Sequence, residues 1–263
     1  MSPFTEYLHC WSLSVDGKPI ETPGAALLPV IWRDRPAMLK ISTSPEETRG
    51  YDLLEWWDGN GACKVFARSG TALLMERASA AKSLAQLSRS GHDEQACAIL
   101  CDTVAKLHQA HQAPPPTLVP LRDWFAALHS TQHVNLLAAR NAMQELLAQP
   151  RDVGCLHGDI HHQNVLDFGE RGWLAIDPKG LMGERTFDYA NLFCNPDLEI
   201  AANPDIFLSR VRFVAAYAKL DRQRLLQWIL AWSGLSAAWH LEDGSSPDIA
   251  LQIARMAGAA LGD

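Results

Sequence analysis

Residues 157–177 read His-Gly-Asp-Ile-His-His-Gln-Asn-Val-Leu-Asp-Phe-Gly-Glu-Arg-Gly-Trp-Leu-Ala-Ile-Asp. Three polar groups stand here at the spacing that phosphoryl transfer uses: Asp159, Asn164 five residues on, and Asp177 beyond a turn. In a His-x-Asp-x-x-x-x-Asn loop the Asp takes the proton of an acceptor hydroxyl and the Asn holds a magnesium ion. After Asn164 the apolar Val165, Leu166 and Phe168 predict a short strand. Gly169-Glu170-Arg171-Gly172 then predicts a turn, and residues 173–176 a returning strand. Such a hairpin brings Asn164 and Asp177 side by side at its open end, where one hard cation can take an oxygen from each.

The same stretch spells Asp167-Phe168-Gly169, a sequence whose Asp binds magnesium in protein kinases. Asp167 lies only three residues past Asn164, so an extended chain carries it roughly 10 Å away and onto the other strand face. Asp177 fits the metal role better. His157, Asp159, His161 and His162 also admit a metallohydrolase cluster. That reading needs a second group of His and Asp elsewhere, and it leaves Asn164 and Asp177 idle.

The loop resembles that of the aminoglycoside phosphotransferase family, which has His-Gly-Asp where protein kinases have His-Arg-Asp. The continuation Ile176-Asp177-Pro178-Lys179-Gly180-Leu181, with Gly183-Glu184, Phe187-Asp188 and Ala190-Asn191, is similar to the streptomycin 6-kinases, grouped as aminoglycoside/hydroxyurea resistance kinases. Pro120-Leu121-Arg122-Asp123 with Phe125-Ala126-Ala127-Leu128, and Leu235-Ser236-Ala237-Ala238-Trp239, agree in order and spacing. The likeness spans residues 20–245 and is weakest near the N-terminus. It implies an α+β, protein-kinase-like fold of two lobes: a small antiparallel sheet lobe over residues 1–78 and a mainly helical lobe over 79–263. It also implies an ATP-dependent phosphotransferase with Mg2+ as cofactor and ATP as co-substrate. The acceptor it implies is the hydroxyl of a small cationic molecule, with streptomycin first and hydroxyurea, choline, a sugar or an amino acid as alternatives.

A strand and a helix upstream must supply the phosphate side of such a site. Residues 27–32 and 37–41 read as a hairpin around Arg33-Asp34-Arg35-Pro36, with Lys40 near the end of its second strand. A strand lysine there matches the one that pairs with nucleotide phosphates; an ordinary edge-strand lysine is the plainer alternative. No G-x-G-x-x-G precedes it; Thr22-Pro23-Gly24-Ala25-Ala26 offers a small-residue loop over the phosphates, or a plain turn. Ser44-Pro45-Glu46-Glu47 opens a helix, with Ser as N-cap and Pro at the first position. Glu47 either closes that capping box or pairs with Lys40, and the resemblance favours it over Glu46 for the pair. Leu53, Leu54, Trp56 and Trp57 are expected to seat this helix on the sheet. Strands over 63–67 and 71–75 lead into Met75-Glu76-Arg77-Ala78, which the resemblance makes the inter-lobe linker whose backbone, at Glu76 and Ala78, meets the adenine edge.

Beyond residue 80 the periodicity is helical. An amphipathic helix over 93–111 carries Ala96, Leu100, Val104 and Leu107 on one face and ends at Pro114-Pro115-Pro116. Further helices are expected within 121–148 and over 205–219, 221–241 and 247–261. Trp228, Trp232 and Trp239 fall near one face of the second of these, a stripe expected to be core before it is a substrate wall. The resemblance casts Asp188 as a brace for the loop and His157 as its internal anchor. Glu184, Glu242 and Asp243 are the candidate carboxylates for guanidinium or ammonium groups of the acceptor.

In 263 residues with 48% apolar and 20% charged content there is room for a large core in one domain or two lobes. A net charge of −7 argues against a nucleic-acid partner and suits a cationic substrate. No apolar run is long enough to span a membrane, and the first ten residues lack a basic-then-apolar signal. Six cysteines without a C-x-x-C pair suggest reduced thiols, and the expected location is cytoplasmic. A catalytically silent binding protein on the same fold would be expected to lack Asp159, Asn164 or Asp177; all three are present.

Overall fold

The computed structural model describes residues 3–43, 45–79, 81–111, 113 and 115–262, without the side chains of 45–47. Ser44, Pro114 and the Glu47 side chain, all assigned roles above, lie outside the described residues.

The N-terminal part is an antiparallel sheet. After α1 (Thr5–Cys10) come β1 (Ser14–Val15), β2 (Ile20–Glu21), β3 (Ala25–Trp32) and β4 (Arg35–Ser42). Helix α2 (Pro45–Trp57) follows, then β5 (Val65–Ser69) and β6 (Ala72–Glu76). The sheet order is β1-β3-β4-β6-β5, with β2 also on β3. The β3–β4 hairpin turns on Arg33 and Asp34, both with positive φ (50° and 61°), as a two-residue turn compatible with strand twist requires. Side chains alternate across each strand. One face of the sheet, with Val30, Leu39 and Leu74, packs on Phe4. The other, with Leu73 and Met75, joins Leu53, Leu54 and Trp57 of α2 and the large core beyond. Trp56 is only half-buried and packs on His111 at a ring separation of 4.0 Å.

After Glu76 no regular element appears among the described residues until α3 (Leu84–Arg89). Helix α4 spans Asp93–Leu107, stopping well short of the prolines predicted to end it. The 121–148 region is more broken than its periodicity suggests: β7 (Val119–Pro120), α5 (Leu121–Trp124), α6 (Ala126–Ser130), a short 3-10 turn and α7 (Leu137–Ala148). The strands β8 (Val153–Leu156), β9 (Val165–Asp167), β10 (Trp173–Ala175) and β11 (Leu181–Glu184) carry the central loops. Then α8 (Leu198–Ala201), α9 (Pro204–Tyr217), α10 (Arg222–Glu242) and α11 (Asp248–Gly262) complete the helical part.

Helix α10 organises that part. Asp221 caps its start by accepting the Arg224 amide at 3.0 Å. Its end closes on Gly244 at φ +67°, with the Ser245 amide donating to the His240 carbonyl at 2.9 Å, a Schellman closure that places Glu242 and Asp243 in the final turn. Among the described residues no helix is long and apolar enough to cross a membrane, and the six cysteines are unbridged.

Candidate active site

The predicted hairpin forms. Trp173, Leu174 and Ala175 pair with Asp167, Leu166 and Val165. The Ile176 amide donates to the Asn164 carbonyl at 2.9 Å, extending the ladder to the open end. Asp177 follows at once with a left-handed backbone, φ +56°, a conformation held only where the surroundings enforce it. Lys40 Nζ lies 2.8 Å from Asp177 Oδ1. Lys40 is 3% exposed, because strand alternation turns Leu39 to the outer face of β4 and Lys40 to the inner one. Helix α2 presses on the next residues: a β-carbon at Gly50 would stand 1.9 Å from the Pro178 carbonyl oxygen, so only glycine fits there.

The loop between β8 and β9 is held from inside. His157 is fully buried; its Nε2 meets the Ile176 carbonyl at 2.8 Å, and its Nδ1 accepts the Asp159 amide at 3.2 Å. A neutral ring protonated on Nε2 satisfies both bonds, and burial pushes its pKa down. The Asp188 carboxylate accepts the His157 and Gly158 amides at 2.9 and 2.7 Å and meets His108 Nε2 at 2.8 Å. Asp159 is thereby aimed outward. Its Oδ1 accepts Asn191 Nδ2 at 2.7 Å, and its Oδ2 accepts Asn164 Nδ2 at 3.1 Å. Lys179 Nζ stands 3.6 Å from Oδ2 and His161 Nε2 3.8 Å from Oδ1.

Asn164 Nδ2 also bonds the Asp159 carbonyl at 2.9 Å. With the nitrogen committed, Oδ1 is the end of this amide that can ligate a cation, and the carboxylate of Asp177 follows the residue that pairs with Asn164 at the hairpin's open end. Both are hard oxygen donors, the kind magnesium takes. Asp167, by contrast, is turned into its own hairpin: its Oδ1 accepts the Gly169 amide at 2.9 Å, and its carbonyl accepts Ser79 N and Oγ at 2.8 and 2.9 Å. The histidine cluster does not assemble as a metal centre. His162 faces Ser88 Oγ at 3.1 Å, and no group of three possible ligands occurs among the described residues.

Of the linker residues, the Glu76 amide donates to the Lys64 carbonyl at 2.8 Å. Its carboxylate accepts the Lys64 amide at 3.2 Å and pairs with Arg171. Arg171 Nη2 also donates to the Gly59 carbonyl at 2.6 Å, so the hairpin turn is tied to the strand leading into residues 77–79. Ala78 sits in that irregular segment. The turn at Thr22 and Gly24 lies at the Lys40 end of the sheet, since Ala25 faces Ser42 and Leu27 faces Lys40.

A cavity of about 1130 Å³ opens on Asp159. Glu242 and Asp243 line it, as does Asp123, together with Trp124, Trp232 and Trp239. Trp239 makes edge-to-face contacts with Trp124 and Trp232, with ring centroids 5.4 and 5.7 Å apart. Trp228 and Trp232 are buried in the core, as the stripe predicts, and Trp232 and Trp239 also border the cavity. Glu184 is a correction. It is 1% exposed and its carboxylate is spent internally, on Arg224 Nε at 2.8 Å and Nη2 at 2.5 Å, on Trp228 Nε1 at 2.9 Å and on the Arg151 amide at 2.9 Å. Burial works to raise its pKa, but the Arg224 bonds overcome that and hold the carboxyl below its ordinary range. It is an internal ion pair rather than an acceptor contact.

Asp123, Trp124, Asn191, Lys179 and Arg49 line the cavity without having been singled out as site residues. All but Trp124 and Arg49 lie in the quoted resemblance motifs, a usable signal. Trp124 sits between two such motifs, and nothing local marks Arg49.

The model of the aminoglycoside/hydroxyurea antibiotic resistance kinases matches residues 10–244. A streptomycin 3''-kinase of Klebsiella pneumoniae is 53% identical, over 89% of this chain and 91% of its own. A streptomycin 6-kinase of Streptomyces glaucescens is 31% identical, over 92% and 83%. In the solved structure of a thermostable mutant of aminoglycoside phosphotransferase APH(4)-Ia the fold recurs with a TM-score of 0.66 at 14% identity, covering 100% of this chain and 98% of that one. With the two-part α+β architecture and the loop above, these likenesses settle the family: the chain belongs to the aminoglycoside/hydroxyurea antibiotic resistance kinases, ATP-dependent phosphotransferases of protein-kinase-like fold that act on a hydroxyl.

Proposed function

We propose that this enzyme phosphorylates streptomycin, with the 3''-hydroxyl favoured over the 6-hydroxyl because the 53% relative is a 3''-kinase and the 31% relative a 6-kinase. The observation that carries the substrate is the cavity: Asp159 on one wall, and Asp123, Glu242, Asp243 and a tryptophan cluster on the others. Streptomycin bears two guanidinium groups. A carboxylate can receive each through paired hydrogen bonds, and indole faces attract cations further. Hydroxyurea offers neither that size nor that charge.

In this reading the boundary between the lobes falls near residue 78. The linker backbone at Glu76 and Ala78 meets the adenine edge. Lys40 takes the nucleotide phosphates. Asn164 Oδ1 and Asp177 would hold Mg2+, which would offset the charge of the phosphates. Asp159 orients the acceptor hydroxyl and takes its proton as the oxygen bonds to the γ-phosphorus and the bond to the ADP oxygen breaks. Lys40 and Asp177, 2.8 Å apart, put a cation and a carboxylate at one point, where the phosphates would meet the first and their metal the second. ATP and unbridged thiols suit a cytoplasmic enzyme.

The test is streptomycin-dependent ADP release with Mg-ATP, followed by NMR assignment of the phosphorylated carbon. An enzyme that binds Mg-ATP yet releases no ADP with streptomycin would have another acceptor.

A further inference from the structure

We infer that Asn191 is a positioning residue for Asp159, and that Trp232 decides which end of the Asn191 amide faces it. The inference rests on the reading of Asp159 as the base. The two ends of an asparagine amide have nearly the same shape and opposite hydrogen-bonding character. Indole N–H can only donate, and Trp232 Nε1 points at Asn191 Oδ1 from 2.8 Å in a buried contact. Asn195 Nδ2 approaches the same oxygen at 3.2 Å. Two donors on the oxygen force the amide nitrogen the other way, onto Asp159 Oδ1 at 2.7 Å. Asn164 Nδ2 holds the second carboxylate oxygen at 3.1 Å.

One such bond leaves a carboxylate able to turn about Cβ–Cγ; two, on opposite oxygens, fix its plane. Among the described residues, Lys179 at 3.6 Å and His161 at 3.8 Å also face the carboxylate, each beyond hydrogen-bond distance. Asn191 also borders the cavity, but both ends of its amide are engaged inside the protein. Trp232 belongs to the acceptor wall as well. The wall and the base are therefore joined by two hydrogen bonds through a single side chain, and a substrate that shifts the Trp232 indole shifts the grip on Asp159.

The experiment is a set of mutant cycles read as kcat, KM for ATP and melting temperature, using the acceptor found active. Asn191→Ala should lower kcat on the order of 100-fold, the scale of an ångström-sized misplacement, with KM for ATP close to wild type and a lower melting temperature, because the buried Trp232 N–H loses its acceptor. Trp232→Phe keeps the ring and loses the donor, and should lower kcat up to about tenfold. Because both act along one chain, Trp232→Phe should add no further loss in the Asn191→Ala protein. Neither should lower kcat further in the Asp159→Asn protein. Independent, multiplying losses in these cycles overturn the relay, as does an Asn191→Ala enzyme with wild-type kcat. Should Asn191→Ala fail to fold, the Trp232→Phe and Asp159→Asn cycle decides alone. If Asp159→Asn itself keeps normal turnover, the base reading has failed; if that variant is inactive while Asn191→Ala is not, only the relay has.

Discussion

The loop that carries Asp159 and the wall that faces it are built differently. In the loop, His157, Asp159, Asn164 and Asp188 are tied to one another or to backbone by bonds of 2.7 to 3.2 Å. Along the wall, Asp123, Glu242 and Asp243 are exposed acids at the edges of helices drawn from distant parts of the chain. A group already bonded within the protein needs no reorganisation when it acts, which is what chemistry demands. A group left exposed is available to a guest, which is what recognition demands. On the proposed function, the difference would separate residues that set turnover from residues that set acceptor affinity.

The sharpest way to break this division is at its centre. Asp159→Asn should lose about 100- to 10,000-fold in turnover and still bind Mg-ATP, as calorimetry would show. Next, Asp177→Ala should abolish Mg-dependent ATP binding while Asp167→Ala, which removes only a turn contact, leaves it nearly intact; the reverse result would mean that the hairpin holds its cation elsewhere. Glu184→Ala strips a buried Arg224 of its partner and should destabilise the fold by about 3–5 kcal/mol, read by urea unfolding, without a selective change in acceptor KM. Glu242→Gln with Asp243→Asn should do the opposite, raising acceptor KM about tenfold and leaving the ATP KM alone.

The smallest effect is one of pH. Burial first, and then the nearby Arg210 charge, push the His162 pKa down to about 3 from an ordinary 6.5. Between those values the unfolded chain binds a proton that the folded one refuses, so stability is full above about pH 6.5 and declines as pH falls toward 3. His162→Gln should flatten that slope between neutral pH and about pH 5.

The hairpin and loop were legible because their parts are neighbours in sequence: strand periodicity, a glycine-bounded turn and a five-residue spacing fix Asp159, Asn164 and Asp177 locally. The wall was not. Glu184 looked like Glu242, an acid just past a matched motif. What separates them is Arg224, 40 positions downstream of Glu184, and nothing near Glu184 in sequence announces it. The tryptophan stripe is core as expected, with Trp228 and Trp232 buried and Trp239 packed against them, but its spacing did not show that it also borders the cavity. Helical spacing says which residues share a face, but only the tertiary packing of Trp124 against Trp239 says that this face borders a cavity. Helix α4 ended early because its apolar face runs out at Leu107, before the prolines that could have stopped it.

Glu242 and Asp243 stand at the end of α10 where the last carbonyls gather partial negative charge, and helices ordinarily place cations there. Two acids in that turn repel their own helix dipole. Neutralising them should therefore raise the melting temperature of the ligand-free protein even as it weakens acceptor binding, a trade of activity against stability. On the proposed function, the same helix end that is unfavourable for its own residues would doubly attract a visiting guanidinium, through the carboxylates and through the dipole behind them. Streptomycin should then stabilise the wild-type protein against heat more than it does the doubly neutralised one.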